Sequence, residues 1–100
     1  MITIPQAEMV LRELRVKKTG EFSSHDFIEE YSKQYETEYL DLLNEYYGTG
    51  TAFQTVHGRI GRFLSEKEGK ISPRYKRTRR ADSENVHGTI GQPMWWEWDD

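Results

Sequence analysis

The sequence predicts an α+β fold that is mainly α: a three-helix core followed by a two-stranded β-hairpin. Three observations predict it. Apolar residues recur with helical period in three separate segments, within residues 7–14, 28–46 and 53–64. Glycine and proline punctuate the chain between and after them, at Thr19-Gly20, Gly48-Thr49-Gly50 and from Gly69 to Pro73. The C-terminal Pro93-Met94-Trp95-Trp96-Glu97-Trp98 is strongly β-prone. One hundred residues make one domain, spanning 1–100.

The first helix is expected over residues 5–18. Pro5 suits a first turn, where its missing N–H costs nothing, and Ala7, Val10, Leu11 and Leu14 follow i, i+3, i+4, i+7. Lys17 and Lys18 stand favourably at its C-terminal end, before Thr19-Gly20 stops it. Glu21-Phe22-Ser23 reads as a short extended segment. Ser23 or Ser24 then caps the second and longest helix, with Asp26 and Glu29 in its first turns. Ile28, Tyr31, Tyr35, Tyr39, Leu42 and Tyr46 follow at a mean spacing of about 3.6 residues. The helix either runs unbroken over 24–47 or restarts near Thr37.

Thr51 is expected to cap the third helix, over residues 51–67, whose apolar positions are Phe53, Val56, Ile60, Phe63 and Leu64. Gly58 and Gly61 each weaken it by roughly 1 kcal/mol relative to Ala, so a close neighbour is expected at both. Residues 74–80 and 94–98 read as antiparallel strands joined by a long loop. Along the last strand Met94, Trp96 and Trp98 point one way, and Trp95, Glu97 and Asp99 the other. The core is expected to contain Leu11, Leu14, Ile28, Tyr31, Leu43, Val56, Ile60, Leu64 and Trp96.

Only 35% of the residues are hydrophobic, but 13% are aromatic, so a few large side chains must build the core. There is no cysteine, which excludes disulfides and Cys-ligated zinc and fits a reducing compartment. No run approaches the ~18 apolar residues of a membrane helix, and the N-terminus lacks a basic stretch followed by an apolar core. A cytoplasmic protein with no membrane partner is expected.

The charge is strongly segregated. Residues 51–80 hold nine bases against two acids, a formal +7, inside a chain whose net charge is −3. The bases are Arg59, Arg62, Lys67, Lys70, Arg74, Lys76, Arg77, Arg79 and Arg80. Such a block is the electrostatic footprint of a polyanion-binding surface. The alternative is a solvated basic face diluted by Glu66 and Glu68. On the third helix, Thr51, Gln54, Thr55, Arg59 and Arg62 turn away from the apolar stripe or flank it. Arginine pairs with guanine and glutamine with adenine, while threonine hydroxyls and a helix N-terminus take phosphates.

The order helix, short strand, helix, turn, helix, strand, long loop, strand resembles a winged helix-turn-helix domain. The resemblance spans nearly the whole chain. It rests on element order, on the pattern of residues 51–64 and on the basic hairpin, without an invariant signature or a matching subfamily. The second helix and the loop over residues 81–91, which carries Asp82 and Glu84, are longer than a minimal domain needs. The resemblance implies a DNA-binding protein with the helix 51–67 in the major groove and the hairpin 74–80 on the phosphate backbone. Thr51, Gln54, Thr55, Arg59 and Arg62 would then face the groove. Arg74, Lys76, Arg77, Arg79 and Arg80 would neutralise the backbone. The implied partner is double-stranded DNA, and the implied role is transcription regulation without catalysis.

A second reading uses the same fold as a non-catalytic protein-interaction module, working through the acidic helix 24–47 and the Trp-rich C-terminus. Trp95, on the face opposite Trp96, would then meet a protein partner or a second copy. No nucleophile elbow, Gly-rich phosphate loop or Cys nucleophile is present, so no enzymatic activity is expected. His25, His57 and His87 are scattered, so neither a metal nor another cofactor is expected. A nuclease site at His87 with Asp82 and Glu84 has no motif behind it. The near-repeat Val56-His57-Gly58-Arg59-Ile60-Gly61 and Val86-His87-Gly88-Thr89-Ile90-Gly91 reads as coincidence, since its flanks differ.

Overall fold

A computed structural model describes residues 2–78 and 94–99. The described residues form an α+β fold, mainly helical, with four helices and one three-stranded antiparallel sheet. In chain order these are α1 (Ile4–Lys17), β1 (Glu21–Ser23), α2 (Ser24–Gln34), α3 (Glu36–Glu45), α4 (Ala52–Glu66), β2 (Tyr75–Arg77) and β3 (Trp95–Trp98).

Local chemistry starts each early element. Thr3 caps α1 by accepting the Gln6 N–H at 3.3 Å, while the Gln6 side chain accepts the Thr3 N–H at 3.1 Å. Ser23 and Asp26 form the same reciprocal box at the start of α2, at 3.1 and 2.9 Å. Of the two serines the sequence offers, Ser23 is therefore the cap. Ser24 instead bonds Met94 both ways, binding α2 to the approach to β3.

The long second helix is two helices. Tyr35 takes a non-helical conformation, φ −131° and ψ 55°, and the chain restarts at Glu36. The break lets Tyr31, Tyr35 and Tyr39 gather, with Tyr31 lying 5.7 Å from Tyr35 and 6.4 Å from Tyr39 between ring centroids. Gly48 and Gly50, at φ 90° and 79°, then reverse the chain in a conformation that side-chain-bearing residues rarely adopt. Thr51 precedes α4 as expected but makes no side-chain cap bond. Its hydroxyl lies 3.2 Å from that of Thr49 and 3.5 Å from that of Thr55.

The expected hairpin is part of a larger sheet, because Glu21–Ser23 pairs with the last strand. The strand order is β1-β3-β2, with Phe22 opposite Trp96 and Lys76 opposite Glu97. The described strands are shorter than the expected 74–80 and 94–98, and the loop over 81–91 lies outside the described residues.

The core lies between this sheet and the helices. Val10, Leu11 and Leu14 of α1, Phe27, Ile28 and Tyr31 of α2, and Val56, Ile60 and Leu64 of α4 are all buried, as are Phe22, Tyr75 and Trp96 from the three strands. Phe22 stacks between Trp96 at 5.7 Å and Trp98 at 4.7 Å. The Tyr75 hydroxyl donates to the Leu64 carbonyl at 2.6 Å, locking the sheet to α4. Leu43, expected in the core, is only half-buried against it. Leu42, on the same stripe as Tyr35 and Tyr39, is the buried leucine of α3.

One buried carboxylate joins α1 to α2. Glu30, 6% exposed, accepts from Lys17 Nζ at 2.8 Å and from Gln34 Nε2 at 3.1 Å. The Lys17 ammonium, helped by Gln34, holds the Glu30 carboxyl below the usual carboxylate range despite its burial. A depressed folded pKa gives stability that is present above the unfolded value and lost as pH falls through the folded one. Wild type should therefore lose melting temperature between pH 6 and pH 3, and Glu30→Gln should narrow that loss while melting lower at pH 7. Equal pH profiles in thermal melts would refute the assignment.

Candidate nucleic-acid interface

α4 turns one side to the core and the other to solvent. Val56, Ile60, Gly61 and Leu64 are buried, and Thr51, Gln54, Gly58, Arg59 and Arg62 are exposed, with Thr55 half-buried between them. Helical spacing places Thr51, Thr55, Gly58 and Arg62 along the middle of the exposed face, with Gln54 and Arg59 on either side. All five candidate groove residues of α4 thus belong to one continuous surface.

The two glycines of α4 differ. A Cβ at Gly61 would meet the Met94 sulfur at 3.6 Å, an ordinary packing contact with the chain entering β3. Among the described residues, a Cβ at Gly58 would meet nothing within 4 Å. No described residue uses the small size of Gly58.

The cations of this face are not consumed by acids. Neither Arg59 nor Arg62 has a carboxylate within 4 Å among the described residues. The Arg59 guanidinium lies 5.2 Å from the Tyr46 ring centroid, which fixes it by cation–π attraction while leaving it exposed. Glu68, a candidate partner in the sequence, accepts the Trp96 indole N–H at 3.1 Å instead.

The hairpin cations divide. Arg77 is exposed at the end of β2. Lys76 faces Glu97 and Asp99 of the neighbouring strand, at 3.9 and 3.8 Å, so its charge is partly answered within the sheet. Arg74 lies in a groove with Arg12 and Arg15 of α1. Arg79 and Arg80 lie outside the described residues, as do His87, Asp82 and Glu84 and the second copy of the short near-repeat.

One cluster was not legible as a site. His57 of α4 and the Tyr39 hydroxyl of α3 share a hydrogen bond of 2.8 Å, and the His25 ring lies 6.5 Å from that of His57. Burial, followed by the nearby His25, lowers the His57 pKa, and burial raises that of Tyr39. Phe53, 60% exposed, packs on His57 at 4.0 Å between centroids. With Ile28 these residues line a cleft of about 320 Å³ between α2, α3 and α4. The sequence shows Tyr39 only as one member of a tyrosine stripe and His57 only as a flank of α4. Among the described residues, no three His, Cys, Asp or Glu side chains are placed to hold a metal ion, and no helix is long and apolar enough to cross a membrane.

No family model, curated protein or solved structure matches this chain.

Proposed function

We propose that this chain is a small DNA-binding protein on a winged-helix arrangement, a transcription regulator without catalysis. α4 enters the major groove, and the strand region around Arg77 and the cations that follow it lies on the phosphate backbone. The element order and the β1-β3-β2 sheet support the arrangement. The observation that carries the reading is the exposed face of α4, where, among the described residues, polar and cationic side chains without acidic partners surround a glycine with open space above it. A helix face keeps glycine at a cost of roughly 1 kcal/mol where another body must approach closely. In this reading that body is the nucleic-acid backbone at the groove edge. Gln54, Arg59 and Arg62 supply donors suited to adenine and guanine edges, and Thr51 and Thr55 supply hydroxyls for phosphates.

A second reading, a protein-interaction module, draws support from α3. Its carboxylates Glu36, Glu38, Asp41 and Glu45 have no cation within 4 Å among the described residues and would repel a polyanion laid across them.

Gly58→Ala tests the first reading. The substitution should raise folding stability by about 0.5–1 kcal/mol, because alanine favours helix and the site is open. It should weaken duplex binding by about 1–3 kcal/mol, as overfilling a tight contact does. That is roughly 5- to 150-fold in Kd. Stability is read from denaturant unfolding and binding from fluorescence anisotropy with random duplex DNA. A variant that is more stable and binds equally well would remove Gly58 from the interface. A wild-type protein that binds no duplex at low salt would transfer the case to the protein-interaction module.

A further inference from the structure

Apart from α4 and the end of β2, two further faces of opposite sign carry charges without an ion-pair partner among the described residues. On α3 the four carboxylates just named are unpaired among the described residues, whereas Glu13, Asp26, Glu29, Glu30, Glu97 and Asp99 all have lysine partners. Leu40, on the same helix, is 50% exposed, and Tyr47, just beyond its end, is 85% exposed. A spacing of four residues aligns Glu36 with Leu40, while Glu38, Asp41 and Glu45 share the neighbouring side of the helix.

The second face is a groove of about 660 Å³ between α1 and the segment entering β2, lined by Arg12, Arg15, Val16, Pro73, Arg74 and Asp99 among others. Arg12 and Arg74 have no carboxylate within 4 Å among the described residues, and the acid of the groove, Asp99, is engaged by Lys76 at 3.8 Å. Val16 is 75% exposed and Met9 48%, and both align with Arg12 along α1. An exposed apolar strip beside guanidinium groups thus complements an acidic helix that carries an exposed leucine. Both helices pack on α2, so each faces solvent on its other side.

We propose that the α1 groove receives α3 of a second copy of this chain. Met9 and Val16 against Leu40 and Tyr47 supply the apolar burial, and the arginine–carboxylate pairs set register and speed encounter. Both halves of the match lie on the same chain, which singles out a second copy over another acidic helix. The contact is heterologous, so every added copy leaves one groove and one α3 unpaired at the ends, and association proceeds head to tail.

Sedimentation velocity of the full chain tests this without nucleic acid, so its outcome is independent of duplex binding. At low salt the weight-average mass should rise above 11.9 kDa with concentration, and high salt should return it toward that value. Arg12→Glu/Val16→Glu should remain monomeric, and so should Glu36→Gln/Leu40→Ser/Asp41→Asn. All five positions are exposed, and a thermal melt of each variant verifies folding. An equimolar mixture of the two variants restores one intact groove and one intact α3. It should give a species of twice the monomer mass and nothing larger. A wild type that stays monomeric throughout overturns the proposal. So does a folded variant that associates like wild type, or a mixture that fails to pair.

Discussion

Deletion of residues 95–100 should leave a chain with no cooperative melt. β3 is the middle strand, hydrogen-bonded to β1 on one edge and β2 on the other, so its loss leaves two three-residue strands without a partner. Trp96 is fully buried, stacked on Phe22 at 5.7 Å and edge-on to Tyr75 at 5.9 Å, and its indole N–H is satisfied by Glu68. Trp98 covers Phe22 from β3 and donates to the Lys18 carbonyl at 2.6 Å, tying the sheet to the end of α1. Trp96→Ala alone should cost about 3–5 kcal/mol. That is a large share of the 5–15 kcal/mol typical of a whole domain. The truncation adds the lost strand pairing and the exposed faces of Phe22 and Tyr75. Circular dichroism and a thermal melt measure it. A truncated protein with an unchanged cooperative melt would make the segment a docking tail and overturn its place in the core.

That segment also shows how far the sequence is legible and where it stops. Alternation along residues 94–98 correctly assigns Trp96 to the core side, because side-chain direction in a strand depends only on position parity. The partners of the strand are a different matter. Glu21-Phe22-Ser23 reads as extended, but nothing local says that it pairs with residues 74 positions later in the chain. Register across strands decides the fate of Lys76 in the same way. In the sequence it is one of a run of cations, and only the pairing with β3 sets it against Glu97 and Asp99.

The exposed face of α4 is legible for the opposite reason. A single helix carries both the buried stripe and the polar face, so period alone separates them, and Val56, Ile60 and Leu64 fall inside as expected. The break at Tyr35 is legible only as one of two alternatives, a restart near Thr37 or an unbroken helix, because tyrosines recur at helical spacing on both sides of it. The Tyr39–His57 bond and the Arg12–Arg74 groove join residues from different elements, and only the tertiary packing brings them together.

Duplex binding should collapse as salt rises, and this is the largest effect expected of the proposed interface. Each phosphate neutralised releases condensed counterions, so log K falls against log salt by about 0.9 per contact. With four to six contacts the slope is about −3.6 to −5.4, and a rise from about 50 to 200 mM salt weakens binding by about 150- to 1,800-fold. The individual cations should contribute unequally. Arg77 is exposed at the end of β2, so Arg77→Ala should reduce the slope by about 1 and weaken every sequence alike. Lys76 is held by Glu97 and Asp99, so Lys76→Ala should leave the slope nearly unchanged. Arg62, at the middle of the α4 face, should behave differently again. Arg62→Ala should relax sequence preference at a cost of about 1–3 kcal/mol where it reads a guanine. Anisotropy titrations at several salt concentrations, on random duplexes and on sequences selected for binding, separate these outcomes. A slope near zero, or equal losses from all three substitutions on every sequence, would rule out the division into backbone and base contacts, since only cations that reach phosphates release counterions and only side chains in the groove distinguish bases.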